Sequence, residues 1–232
     1  MGKLIYAADD EENIREILKS FLIDSGFEVE VFPTGDELFD AFRKKPCDLA
    51  VLDIMMPGTD GLTICKRLRE ISKVPIIILT AKDSEMDYVT GMTYGGDDYL
   101  TKPFRPSMLV MRIKALFRRI EMEHADTVPE NEEELTFGDI VYSYKTREVT
   151  CKGNKAALTM TELALLRYMM EQKDRAIPRE ELLDKIWGIS TEVETRVTDE
   201  TVRRIRKKLA AVGSSVAITV VWGFGYKLEA SK

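Results

Sequence analysis

Histidine and cysteine are nearly missing from this chain, which holds one His (His124) and three Cys (Cys47, Cys65 and Cys151) in 232 residues. The cysteines show no paired or metal-ligand spacing, and His124 lies in a polar stretch. A disulfide framework, a zinc site and any Ser-His or Cys-His catalytic pair are thereby excluded. Long apolar runs are lacking too. The longest, such as Val74-Pro75-Ile76-Ile77-Ile78-Leu79, are far too short to span a bilayer, and the N-terminus has no basic segment followed by an apolar one. A cytoplasmic protein with no membrane partner is therefore expected.

What is present is an ordinary globular composition, 44% hydrophobic and 32% charged, in a length that suits one large or two modest domains. The net charge of −6 is unevenly spread: residues 1–121 carry −4, residues 122–134 carry −6 and residues 135–232 carry +4. A basic module tethered to an acidic one suggests a nucleic-acid-binding domain whose partner has other work. The segment 122–134 has hardly any apolar periodicity, so it reads as an acidic, flexible, self-repelling linker.

In the first module, strand and helix patterns alternate five times. Apolar runs at Leu4 to Ala8, Glu28 to Phe32, Leu49 to Asp53, Val74 to Leu79 and Asp97 to Thr101 are separated by helical spacings such as Ile14, Ile17, Leu18 and Phe21, or Leu38, Phe39 and Phe42. That alternation predicts a doubly wound α/β sheet of five parallel strands. In such sheets ligands bind at the carboxyl ends of the strands. The residues found there are Asp9 and Asp10, Asp53, Thr80 and Lys102. Alone, an aspartate such as Asp53 serves equally well as a turn cap. With strand order 2-1-3-4-5, however, three carboxylates meet at the switch point beside a hydroxyl and an ammonium. Close carboxylates repel unless a hard cation joins them, and Mg²⁺ takes oxygen ligands that phosphate can complete. Phosphoryl transfer to an aspartate is the chemistry that uses all five groups.

The acid pair, Asp53 followed by Met-Met-Pro-Gly, Thr80-Ala81 and Lys102-Pro103-Phe104 together resemble the receiver domain of two-component response regulators over residues 1–121. The resemblance implies a flavodoxin-like fold in which Asp53 is the phosphoacceptor, supplied by a sensor histidine kinase. It implies Mg²⁺ bound directly by Asp10, Asp53 and the Met55 backbone carbonyl, with Asp9 acting through a water. Lys102 would pair with the phosphoryl group, Thr80 would hydrogen-bond it, and Tyr99 would swing inward as Thr80 moves. An aspartate-nucleophile phosphatase of the haloacid dehalogenase type is the enzymatic alternative, but it wants an acid where this chain has Met55. Apart from self-directed transfer to Asp53 and its hydrolysis, no enzyme activity is expected. A receiver that merely docks proteins, with constitutive DNA binding, is the other rival; it has no physical need for the complete acid, hydroxyl and ammonium set.

In the second module, Leu135 to Tyr144 and Glu148 to Asn154 read as short antiparallel strands. Thr159 with Glu162 makes a capping box for a first helix, Pro178 to Trp187 is a second stopped by Gly188, and Glu194 to Val212 is a third. The third puts Val202, Ile205 and Leu209 on one side, with Arg196, Arg203, Arg204, Arg206, Lys207 and Lys208 elsewhere. A hairpin with glycines at its turn follows, so the order describes an α+β winged helix-turn-helix whose third helix enters the major groove of double-stranded DNA. Residues 135–232 resemble the effector domain of the OmpR/PhoB subfamily through Leu-Thr-x-x-Glu at 158–162, Glu-Leu-Leu at 181–183, Trp187-Gly188, Arg196, Asp199, Arg203 to Leu209 and Gly-x-Gly-Tyr at 223–226. Expected DNA-facing residues are Arg196, Thr198, Thr201, Arg203, Arg204, Arg206, Lys207 and Trp222. Trp222 stands where the family commonly has the Arg that reaches the minor groove, and Thr198-Asp199-Glu200-Thr201-Val202 replaces its usual Val-Asp-Val-His-Ile.

The resemblance further implies that phosphorylation promotes a dimer through the last helix-strand-helix face of the receiver. Its residues here are Tyr88, Asp97, Asp98, Met108, Arg112, Arg118 and Arg119. Tyr88 and Met108 replace the usual basic and acidic partners, which reads as an ion pair exchanged for an apolar contact. RNA polymerase is a further partner that the resemblance admits.

Overall fold

The structure, a computed structural model, describes residues 2–81, 95–125, 133–173, 175–188 and 195–230. Two compact units are present, Met1–Lys114 and Ala115–Lys232.

In the first unit the elements run β1 (Leu4–Ala8), α1 (Glu12–Asp24), β2 (Glu28–Phe32), α2 (Gly35–Lys44), β3 (Leu49–Asp53), α3 (Gly61–Ile71), β4 (Ile76–Ala81) and β5 (Asp98–Lys102), then the start of α4 (Pro106–Ala125). The strands form one parallel sheet in the expected order β2-β1-β3-β4-β5. β1 and β3 are buried along their whole length, because helices cover both faces of a parallel sheet. Register pairs Ala8 with Leu52, Asp53 with Leu79 and Ala81 with Lys102, so the strand ends line up along one edge. The helices start on local signals: Thr34 accepts from the Glu37 N–H to open α2, and Asp60 accepts from the Leu62 and Thr63 N–H groups to open α3.

Two features go beyond what the periodic pattern shows. α1 buries only Leu18 and Leu22, leaving Ile17, Phe21 and Ile23 exposed, because its apolar residues exceed the single stripe that one sheet face covers. The helix of residues 106 onward does not stop at 121 but continues to Ala125. Glu121 to Ala125 contains good helix formers, and a helix already nucleated extends through polar residues at little cost. The expected linker thus gives up its first residues to α4, and Glu134 belongs to a strand.

The second unit holds a four-stranded antiparallel sheet of β6 (Glu134–Phe137), β7 (Ile140–Ser143), β8 (Glu148–Cys151) and β9 (Asn154–Ala156). Left-handed backbone at Gly138 and at Lys152-Gly153 turns β6 into β7 and β8 into β9. Next come α5 (Met160–Glu171), β10 (Ile177–Pro178), α6 (Arg179–Trp187), α7 (Thr195–Ala211), β11 (Val216–Val221) and β12 (Gly225–Ala230), with β12 pairing with both β10 and β11 in a small sheet β10-β12-β11. The Thr159–Glu162 capping box is formed, and Gly188 ends α6 in the left-handed conformation. Val202, Ile205 and Leu209 of α7 join Leu166, Met169, Leu182, Leu183 and Trp187 in one core, which makes this unit a winged helix-turn-helix.

Candidate phosphoacceptor site and nucleic-acid face

β1 and β3, adjacent at the point where strand order reverses, deliver the acids. Asp9 and Asp53 are buried and Asp10 is exposed, and one carboxylate oxygen of each lies within 4.8 Å of the others. β5 brings Lys102, whose Nζ donates to Asp9 Oδ2 at 2.7 Å and to Asp53 Oδ2 at 2.8 Å. Burial pushes the Asp53 carboxyl above the usual carboxylate range, with Lys102 pulling against it and Asp9 adding to it. Burial also works against the Lys102 ammonium, but its bonds to Asp53 and Asp9 outweigh that and hold its pKa above the ordinary lysine value. The two directions agree: negative charge is concentrated at this edge and one cation offsets it. Such a set of convergent oxygens fits a hard divalent cation.

Neighbouring residues fix the cluster. Arg15 donates to the carbonyls of Asp9 and Asp10, each at 2.8 Å, and the Glu11 N–H donates to Asp9 Oδ1. Gly61, the first residue of α3, sits so close to β3 that a Cβ there would lie 1.9 Å from the Asp53 carbonyl oxygen. Thr80 is buried at the end of β4. Tyr99 is buried with its hydroxyl over Gly96, where a Cβ would lie 2.7 Å from it. The Met55 side chain is 66% exposed beside the site.

Four of the residues expected in a dimer face, Asp97, Asp98, Arg112 and Arg119, are engaged within the chain. Asp98 receives two bonds from Arg112 Nη1, at 2.7 and 2.9 Å, and both residues are buried. Asp97 pairs with Arg69 and accepts from the Ile76 N–H at 3.0 Å. Met108 is half-buried and Arg118 exposed, whereas Tyr88 lies outside the described residues. Arg119, in the second unit, is buried: it donates to Thr161 Oγ1 at 2.6 Å and to the Ile186 carbonyl, and its guanidinium lies 5.8 Å from the Trp187 ring.

On α7 the exposed face carries Asp199, Arg203, Arg206 and Lys207. Three expected DNA-facing residues are not on it. Thr198 and Thr201 have no exposed surface, and the Thr201 hydroxyl donates to the Val197 carbonyl at 2.8 Å. Arg204 is buried, its Nε 3.4 Å from Glu162 Oε1. The reason is Glu162 itself: the capping-box glutamate is fully buried, so α7 turns Arg204 and Lys208 toward it to compensate the charge. Arg196 belongs to α7, but its side chain lies outside the described residues. Trp222, in the turn between β11 and β12, is 94% exposed.

Comparison with known proteins accords with this geometry. The family profile for the response regulator receiver domain matches residues 5–114, and that for the C-terminal domain of transcriptional regulatory proteins matches residues 153–228. The chain is 40% identical over 226 residues to the uncharacterized transcriptional regulatory protein YclJ of Bacillus subtilis, covering 97% of this chain and 98% of that one. Regulatory protein VanR of Enterococcus faecium is 37% identical, covering 99% and 100%. Among solved structures, the OmpR/PhoB homologue DrrB of Thermotoga maritima is 28% identical, with TM-score 0.51 and coverage of 98% and 99%. A RitR mutant shares the fold at TM-score 0.77 and 24% identity, covering 99% of this chain and 100% of that one. The chain belongs to the OmpR/PhoB response regulators. It is a phosphorylation-activated, DNA-binding transcriptional regulator of a two-component system.

In this response regulator the strand-end reading brought Asp9, Asp10, Asp53 and Lys102 together as expected, and neither matching family is catalytic. Sequence reasoning passed over Arg15 and Gly61. The glycine directly after the Asp60 cap was the available signal, since a helix-opening glycine beside a buried strand marks close backbone approach. No helix among the described residues is long and apolar enough to cross a membrane.

Proposed function

We propose that Asp53 is the residue phosphorylated, receiving its phosphoryl group from a sensor histidine kinase. The observation that carries this is Lys102 bridging Asp9 and Asp53 at the switch point of the sheet. An Asp53 carboxylate oxygen attacks phosphorus, the bond from phosphorus to the donor's imidazole nitrogen breaks, and the imidazole leaves with that electron pair. Lys102 neutralises charge on the incoming group, and the Thr80 hydroxyl, buried at the next strand end, hydrogen-bonds it. Asp10, Asp53 and the Met55 carbonyl would hold Mg²⁺ directly, with Asp9 through a water. When bound, the ion supplies charge neutralisation for phosphoryl transfer. Hydrolysis of the aspartyl phosphate resets the switch.

Phosphorylation adds about −1.5 to −2 charge next to Thr80 and Lys102. In the proposed response, Tyr99 shifts with Thr80, and the receivers pair through Asp97, Asp98, Arg112 and Arg118, with Arg119 released from its bonds and Tyr88 against Met108. The Asp98–Arg112 pair, in which one Arg112 nitrogen donates to both carboxylate oxygens, is a unit that such a dimer would re-use between chains. Residues 1–121 then serve as receiver and 135–232 as effector. The effector meets the DNA phosphates and base edges with Arg196, Arg203, Arg206 and Lys207, acts in the cytoplasm and recruits RNA polymerase.

The test is intact mass after incubation with acetyl phosphate and Mg²⁺, for the natural chain and Asp53→Ala. A gain of one phosphoryl group by the natural chain alone is expected. The same gain in Asp53→Ala would move the acceptor elsewhere.

A further inference from the structure

The wing of the second unit ends in an aromatic turn around Trp222, an expected DNA-facing residue that has no cation to offer a phosphate. Val220, Trp222 and Phe224 are all exposed, and Trp222 keeps 94% of its surface in water. No residue from Val220 to Phe224 carries a charge. Burying large aromatic surface is strongly favourable, so an indole held out in solvent on an ordered turn marks a contact surface.

The turn is held rigidly. The Phe224 N–H donates to the Val221 carbonyl at 3.0 Å, Gly223 supplies the left-handed residue at φ +69°, and the Arg179 N–H donates to the Phe224 carbonyl at 3.3 Å. A Cβ at Gly225 would lie 1.9 Å from the Ile177 carbonyl oxygen, so β10 packs directly on the base of the turn. The same residues tie the wing to α7. Arg179 Nε donates to Asp199 Oδ1 at 3.1 Å, and the Tyr226 hydroxyl donates to that oxygen at 2.5 Å. Further along α7, Arg206 Nε donates to the Ile218 carbonyl of β11 at 2.8 Å. The aromatic turn and the helix bearing Arg203 and Lys207 therefore form one body.

We propose that Trp222 is an apolar wedge that enters the DNA minor groove beside the site met by α7, with Phe224 supporting it; this rests on the DNA-binding reading. Double-stranded DNA is the occupant because the wing is braced against the cationic helix of a module with net charge +4. A protein partner would need about 800 Å² from each side, far more than one turn offers. One inserted ring, by contrast, fills one base step, and such wedges bend the duplex toward the major groove. The turn has no cation to exchange for a counterion, so Trp222 adds affinity that salt does not remove. It also favours flexible pyrimidine-purine steps at a position that α7 does not touch.

The test uses the full chain and a 30-base-pair duplex enriched by that chain from a random-sequence pool. Affinity is followed against NaCl for the natural chain, Trp222→Ala, Trp222→Arg and Arg203→Ala, and acrylamide quenching follows the exposed indole, since Trp187 is buried. Trp222→Ala is expected to weaken binding about tenfold, the size of one stacking contact, with the salt slope unchanged. Trp222→Arg is expected to recover affinity with a slope steeper by about 1. Quenching should fall when the duplex is added. If Arg203→Ala weakens binding while Trp222→Ala does not, and the indole stays quenchable, the wedge is refuted and DNA binding stands. If Arg203→Ala also binds unchanged, the underlying DNA reading fails. A lower sedimentation mass of Trp222→Ala without DNA would make the turn a self-association contact and overturn the proposal.

Discussion

Replacing Gly61 by Ala sets two effects against each other. Gly61 opens α3 with φ outside the left-handed region, so on helix propensity alone the change should stabilise by up to about 1 kcal/mol, less at a first-turn position. Against this, the new Cβ would lie 1.9 Å from the Asp53 carbonyl oxygen, where real Cβ contacts stay above 3.0 Å. Either α3 or the end of β3 must yield by about 1 Å. Overpacking of this kind costs about 1–3 kcal/mol, so the steric effect wins. In a domain of this size each kcal/mol lowers the melting midpoint by roughly 4–8 °C. The functional effect should be larger. Asp53 Oδ2 sits 2.8 Å from Lys102 Nζ, and a shift of 1 Å breaks that bond; misplacement on that scale costs about 10²-fold in rate. Calorimetry and a time course of phosphorylation by acetyl phosphate measure both. Gly58→Ala is the control: it strains a left-handed residue (φ +83°) but meets only Asp36, at 3.7 Å, and should leave the rate near normal. A Gly61→Ala protein as stable and as fast as the natural chain would refute the close approach of α3 to Asp53.

Because the folded Asp53 carboxyl has a raised pKa, the native state holds a proton that the unfolded chain has lost above its ordinary value of 3.8. Stability should therefore fall as pH rises from 3.8 through the raised value, and Asp53→Asn should melt higher than the natural chain at pH 7 without Mg²⁺. An Asp53→Asn protein that melts lower at pH 7 would show that the carboxylate is not strained by its neighbours. Added Mg²⁺ should raise the natural chain's melting midpoint, by about 2.7 kcal/mol of stability at a hundredfold excess over Kd, and should do so much less in Asp53→Asn; equal stabilisation of both would place the ion elsewhere. Arg204→Ala should destabilise the second unit by about 3 kcal/mol, since it leaves the buried Glu162 with Lys208 alone. Arg203→Ala should change stability by under about 0.5 kcal/mol and flatten the salt slope of DNA binding by about 1. The reverse pattern in denaturant melts and binding titrations would contradict the orientation of α7.

The amino-acid order alone determined the alternation of strands and helices, the meeting of Asp9, Asp10 and Asp53, and the division into an acidic and a basic module. Those features depend on local periodicity and on a topological rule, and both are written along the chain. Lys102 reaches Asp9 across 93 residues, yet strand order and strand ends were enough to foresee it. Only the tertiary structure decided which polar residues are covered. Apolar spacing located the inward stripe of α7 at Val202, Ile205 and Leu209, but Thr198, Thr201 and Arg204 lie along its margins, and whether a margin is buried depends on the neighbouring element. Here the fully buried Glu162 of α5 draws Arg204 inward. Ile17 and Phe21 fall the opposite way, left in water because the sheet covers one stripe of α1 and no more. Arg119 was expected on a receiver face and instead binds Thr161 and Ile186, because its end of α4 belongs to the second compact unit. A periodic pattern says which side of an element is greasy; how wide a strip its neighbours cover is settled only when they pack.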